Sequence, residues 1–446
     1  MKILISLLLM LTIVSAHTFT KVFDKNVLLP NGQNAHLDIG TMYIWANFIE
    51  KLNSNFIVAL LGKPSYPVNS NIQKAGIAYW SKEVGTDKPI PYGDPKGELR
   101  YRKDVADALS IEYGVSLDVE DVLFSVGGMS GLHSIFYAVR TLNPNKKIVT
   151  TLPYYPGYTG YKLDVPLNDL LLVNILESGT ITADNLKKTL YHISASEISA
   201  FLFCDPHNPM GTTPGKEEWI KVVEVLKKYP KVPIILDEAY AEMVFDQNHT
   251  SLFSLAPSTF LDRFVILRSA TKGLSAAGER LSVVISKNKK IMDAITRYVL
   301  ANNIHAPKSS QFIYSSALKH THKKEYIPLA KFYQDKVRYL QNLLQEQRIP
   351  VNTPNSTFYL VVDLSKMIGK TMDSRAKKAL YLAEDAMISS DVDIAFHLLF
   401  KYNLAIAPLS FFGVDPQRCL LRITCSEDKA VLKDINDRLK AMFHEN

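Results

Sequence analysis

Three cysteines in 446 residues, Cys204, Cys419 and Cys425, give no disulfide framework and no zinc-ligand spacing, so neither a stapled scaffold nor a metal centre is implied. Charge of one sign is scarce as well. The formal net charge is +7 with lysine and arginine spread along the chain, so the basic stripe that nucleic acid requires is missing. There is no internal repeat and no low-complexity tract. Long apolar runs are absent too: Ile3 to Val14 falls short of the roughly 20 residues of a stable membrane span. Behind Met1-Lys2 and ahead of Val14-Ser15-Ala16, that run predicts a signal peptide over residues 1–16, cleaved after Ala16, and an exported (secreted or periplasmic) protein. A cytoplasmic location follows if the leader is not used. Two triplets, Asn248-His249-Thr250 and Asn355-Ser356-Thr357, fit the glycosylation pattern of a eukaryotic secretory route.

What is present suffices for a large core. With 47% hydrophobic and 21% charged residues, the chain predicts a globular protein of two domains. Residues 17–60 read as an N-terminal arm with one helix over Leu37 to Leu52, joining the small domain; 61–305 form the large domain and 306–446 the small one. From Asp121 onward, short apolar runs alternate with amphipathic ones. Strands are predicted at Val122 to Val126, Lys147 to Thr151, Leu170 to Ile175, Ala200 to Cys204, Pro233 to Leu236, Phe264 to Arg268 and Leu281 to Ile285. Such alternation predicts an α/β fold with a mostly parallel, doubly wound sheet, whose ligands bind at the carboxyl ends of the strands. The last third is of mixed type. A long helix around Tyr333 to Leu344 leads to strands at Phe358 to Val362, Leu404 to Ala407 and Leu420 to Thr424, with a helical stretch over Ser374 to Tyr402.

The candidate chemistry sits repeatedly at strand ends. Gly127-Gly128-Met129-Ser130-Gly131 follows the first predicted strand and opens a helix at Leu132 to Arg140, a turn whose free N–H groups and dipole suit a phosphate. It lacks the G-x-G-x-x-G spacing of dinucleotide sites. Pro153-Tyr154-Tyr155-Pro156 offers tyrosines that can stack on a flat ring. Asp205-Pro206-His207-Asn208-Pro209 points an amide from a strand end, and Asp237 stands at the mouth of a buried strand, where an unpaired charge costs several kcal/mol and calls for a partner. Lys272, between small hydroxyl residues and a small-residue loop after an apolar strand, suits an amine that forms an imine.

Taken together, these motifs resemble the class I and II aminotransferases, pyridoxal-phosphate enzymes of fold type I. Tyr92 with Gly97-Glu98-Leu99-Arg100, Gly128 to Ser130, Tyr155, Asn208-Pro209, Asp237 with Tyr240, Ser269 with Lys272 and Arg280, and Arg422 occur in the family's order, from about Gly62 to the C-terminus. The resemblance implies pyridoxal 5'-phosphate on Lys272 as a Schiff base, with Lys272 also moving protons. Asp237 would pair with the ring nitrogen, Tyr240 and Asn208 with the ring oxygen, and Tyr155 with the ring face. The phosphate would rest on Gly128, Met129, Ser130, Ser269 and Arg280, and on Tyr92 of a second subunit, which makes the protein a homodimer with shared sites. Arg422 would clamp the substrate carboxylate, with Asn208 and Gly62 beside it. The implied reaction moves an amino group between an amino acid and a 2-oxo acid. Tyr240-Ala241-Glu242-Met243-Val244-Phe245 also resembles the aminocyclopropane-carboxylate synthase branch, so elimination or cyclisation of the C–S lyase type stands as the alternative, with a non-catalytic cofactor-binding protein third. Thr271, Ser282 and Met210 depart from residues frequent in the family and mark a divergent branch.

Overall fold

The computed structural model describes residues 55–84, 89–159, 166–246 and 249–445, together with Met42 and Ala46. The predicted signal peptide and Asn248 lie outside the described residues, as does the arm helix except for Met42 and Ala46, which are helical and buried.

Twelve strands run in chain order among the described residues. They are β1 (Ile57–Val58), β2 (Val122–Val126), β3 (Lys147–Leu152), β4 (Leu170–Asn174), β5 (Ile198–Cys204), β6 (Ile234–Asp237), β7 (Phe264–Ser269), β8 (Leu281–Ile285), β9 (Tyr359–Asp363), β10 (Leu404–Ala405), β11 (Ala407–Pro408) and β12 (Leu420–Thr424). Seven of them form one sheet in the order β2-β8-β7-β6-β5-β3-β4. Only β8 runs against its neighbours; the other pairs are parallel. The central strands β5, β6 and β7 are buried along their whole length, which is why they read as continuous apolar runs without alternation. Helices cover the sheet: Lys216–Leu226 buries Trp219, Val222, Val223 and Leu226, the i, i+3, i+4, i+7 stripe of its sequence.

A second sheet, β11-β12-β9, is antiparallel, with Arg422 of β12 opposite Val361 of β9. It packs on the long helix Lys323–Glu346, and β1 pairs with β10 beside it. Two expectations need correction. The helix after β2 begins at Gly127, not Leu132, so the glycines form its first turn. The stretch 374–402 is two helices, Ser374–Ala379 and Asp391–Lys401, because Tyr381 takes a left-handed backbone (φ 55°) and Thr371 bridges to Met387 between them. The Asn355 triplet is not an open acceptor: its amide accepts from Thr213 N at 2.8 Å and donates to Thr213 O at 3.0 Å, with Ser356 and Thr357 buried.

Candidate active site

The carboxyl ends of β5, β6 and β7 open into a cavity of about 440 Å³, closed from the other side by β9 and β12. Gly62, Gly128, Met129, Tyr155, Asn208, Asp237, Tyr240, Ser269, Lys272, Arg280 and Arg422 all line it. Eleven of the thirteen residues singled out in the sequence therefore converge, although they span 360 positions of chain. Ser130 lies in the first turn of the neighbouring helix, its hydroxyl accepting from Asn303 Nδ2 at 3.3 Å. Tyr92 is 80% exposed and packs edge-on to His305, outside the cavity of its own chain.

Lys272 follows β7 in the short helix Ala270–Gly273, which Ser269 caps by accepting from Thr271 N. Its Nζ donates to Gly62 O. Burial first, then the positive fields of Arg422 and Arg280, push the ammonium down to about 7, so the neutral amine is accessible near neutral pH. Asp237 ends β6. Burial pushes its carboxyl up to about 6; Tyr158 donates to Oδ2 at 2.9 Å, while Oδ1 is buried with no hydrogen-bond partner among the described residues. A carboxylate with one orphaned oxygen in a cavity is a site for a cation or a protonated nitrogen.

Asn208 is held by its own turn. His207 is buried and pushed down to about 3 by desolvation, so its ring is neutral; Nδ1 accepts from Met210 N, and Nε2 lies 2.8 Å from Thr151 Oγ1. Asn208 Oδ1 accepts from Arg422 Nη1 at 2.7 Å, and Arg422 Nη2 donates to Leu60 O at 2.5 Å. The Arg422 guanidinium is buried against the Tyr359 and Phe412 rings, 4.3 and 4.8 Å from their centres, and Nε has no hydrogen-bond partner among the described residues. No carboxylate pairs with it among the described residues, and each terminal nitrogen keeps a second N–H. That geometry accepts a bidentate anion.

At the opposite end, the helix Gly127–Leu142 begins at the cavity with Gly128 and Met129 in its lining; Gly127 N donates to Arg280 O at 3.0 Å, and the first-turn N–H groups after it have no acceptor within the helix. Gly127 has φ 72°, and a Cβ there would overlap the Arg280 guanidinium, so only glycine lets the arginine lie over the helix start. Together they form a cradle for a doubly charged anion. A cation-seeking carboxylate, an amine and an anion cradle in one cavity match the groups of pyridoxal phosphate: ring nitrogen, aldehyde and phosphate.

Sequence reasoning missed Tyr158, His207, Tyr359 and Phe412. Tyr158 stands two residues beyond Pro156 of the tyrosine motif, and His207 sits inside the asparagine turn. Tyr359 carried only the signal of an aromatic residue at the start of a strand.

Residues 87–439 match the family described as aminotransferase class I and II. The chain is similar to the aspartate/prephenate aminotransferase of Cereibacter sphaeroides, 24% identical over 85% of this chain and 89% of that one. It is likewise similar to the kynurenine–oxoglutarate transaminase of Dictyostelium discoideum, 24% identical over 78% and 82%. Its fold is that of the Thermus thermophilus aspartate aminotransferase, with a TM-score of 0.75 at 18% identity over 91% of this chain and 96% of that one. The Thermotoga maritima aspartate aminotransferase gives 0.73 at 19% over the same shares.

Proposed function

The chain belongs to the class I and II aminotransferases, and from that membership we propose that Lys272 is the amine at the reacting centre of a pyridoxal-phosphate-dependent aminotransferase. The observation that carries this reading is that Lys272, its ammonium pushed down to about 7, shares one cavity with the half-partnered Asp237. Pyridoxal phosphate, when bound, supplies the aldehyde that takes up an amino group and a protonated ring that draws electron density from the α-carbon. Asp237 holds the proton on the ring nitrogen, and Tyr158 orients Asp237. Tyr240 and Asn208 hold the ring oxygen, Tyr155 covers the ring and limits water, and Gly128 to Ser130, Ser269 and Arg280 bind the phosphate. Arg422 fixes the amino acid by its carboxylate, which places the α-proton for transfer to Lys272 Nζ.

Two further readings belong with it. Trp80, Ile90, Tyr92 and Leu99 are at least half exposed, and a second copy of the chain packed there would bring Tyr92 towards the Arg280 cradle of its partner. Residues 1–16 export the protein, which N-terminal sequencing of the mature chain checks.

The reaction is tested by incubating the loaded enzyme with a panel of nitrogen-15 amino acids and a 2-oxo acid. The label is expected in the new amino acid, in equal amount to the oxo acid formed. Label released as ammonia would replace transfer by elimination.

A further inference from the structure

Beyond the residues that hold cofactor and substrate, we propose that Tyr359 is a positioning residue that sets the hydrogen-bond donor strength of Tyr240 while holding Arg422 flat. The proposal rests on the pyridoxal-phosphate reading of the cavity, because its effect is exerted on the ring oxygen that Tyr240 would hold.

Tyr359 opens β9 and lines the cavity beside Tyr240, their ring centres 5.7 Å apart. Their hydroxyls are 2.7 Å apart, and both side chains are buried. A hydroxyl has one proton to donate. If Tyr240 gives its proton to the ring oxygen, the short contact leaves Tyr359 to donate to Tyr240, and accepting that bond makes Tyr240 the stronger donor. The same Tyr359 ring lies 4.3 Å from the Arg422 guanidinium carbon, which also lies 4.8 Å from the Phe412 ring. Its hydroxyl also packs on Gly62, where a Cβ would overlap it, and Gly62 O receives Lys272 Nζ. One side chain thus touches the donor to the ring oxygen, the carboxylate clamp and the loop that holds the lysine. No other residue of the small sheet reaches Tyr240 by a polar atom among the described residues.

The test uses full-length protein carrying Tyr359→Phe, Tyr240→Phe or both, loaded with pyridoxal phosphate. Its readout is the pH midpoint of the visible absorption of the bound cofactor. A donor to the ring oxygen favours the form with an unprotonated imine nitrogen, so weakening the donor raises the midpoint. Loss of one hydrogen bond in the relay is expected to raise it by about half a unit in Tyr359→Phe and by more than about one unit in Tyr240→Phe. The double variant is expected to match Tyr240→Phe, because Tyr359 acts through it. The phenylalanine ring keeps the Arg422 stack, so KM for the amino acid should change less than about 3-fold. A wild-type midpoint in Tyr359→Phe, or shifts that add in the double variant, overturns the proposal. A wild-type protein that develops no visible band overturns the cofactor reading itself, an outcome separate from either.

Discussion

Two clusters of charged side chains flank the end of β7, and they are built on opposite plans. In the first, Arg268 is fully buried and meets Glu112 at 2.6 Å, Glu242 at 2.5 Å and Glu238 at 3.9 Å; Tyr113 donates to Glu238 at 2.7 Å and Ser251 donates to its other oxygen. In the second, Lys272, Arg280, Arg422 and Asp237 share a cavity, and none of the four enters an ion pair among the described residues. Opposite charges surround Arg268, whereas three cations and one acid face open space around Lys272. Charge that is closed on itself serves the fold, and charge left without partners inside a cavity marks where a ligand will complete it.

Breaking the second cluster should abolish chemistry. Lys272→Ala is expected to lower the rate of amino-group transfer by at least about 10⁴-fold, measured in single turnover, while the unfolding midpoint in denaturant stays near that of the wild type. Breaking the first should do the reverse. Arg268→Met leaves Glu238 and Glu242 buried without a cation, and the unfolding free energy should fall by about 3–5 kcal/mol. The matched change in the cavity, Arg422→Met, should cost less than about 2 kcal/mol of stability yet raise KM for the amino acid about 10²-fold.

Titration of cofactor-free protein sharpens the contrast. The folded lysine loses its proton at about 7 and the unfolded one at 10.5. Between those values the unfolded chain binds the extra proton, so this group makes stability rise as pH increases across that window. The rise should vanish in Lys272→Met, followed by chemical denaturation at several pH values. The smallest effect belongs to neither cluster. Lys231 holds φ 72° with its side chain exposed, and Lys231→Gly should raise the unfolding free energy by about 0.5–1 kcal/mol, with amino-group transfer unchanged.

The contrast also explains what the sequence could show. The strands of the large sheet are apolar runs bounded by breakers, so the carboxyl-end rule puts Asn208, Asp237 and Lys272 at strand ends, which the structure brings into one cavity. Arg268 looked like the polar end of a strand; its three acids come from distant helices and turns, and no local pattern joins them. Tyr359 is hidden for the same reason, 119 residues from Tyr240 and on β9 of the small sheet, whereas Tyr240 lies in the turn after β6. The helix 374–402 was overextended because hydrophobic content persists through a segment whose break lies in the backbone of Tyr381. Gly127 was read as part of a turn, and its helical role appears only with Arg280 lying against it.

The most direct test of the account is to load the protein with pyridoxal phosphate, reduce it with borohydride and map the modified peptide by mass spectrometry. One cofactor per chain, attached at Lys272 and absent from Lys272→Ala, is the predicted result. Attachment at another lysine, with Lys272 unmodified, would contradict the claim that the unpaired cluster is the reacting centre.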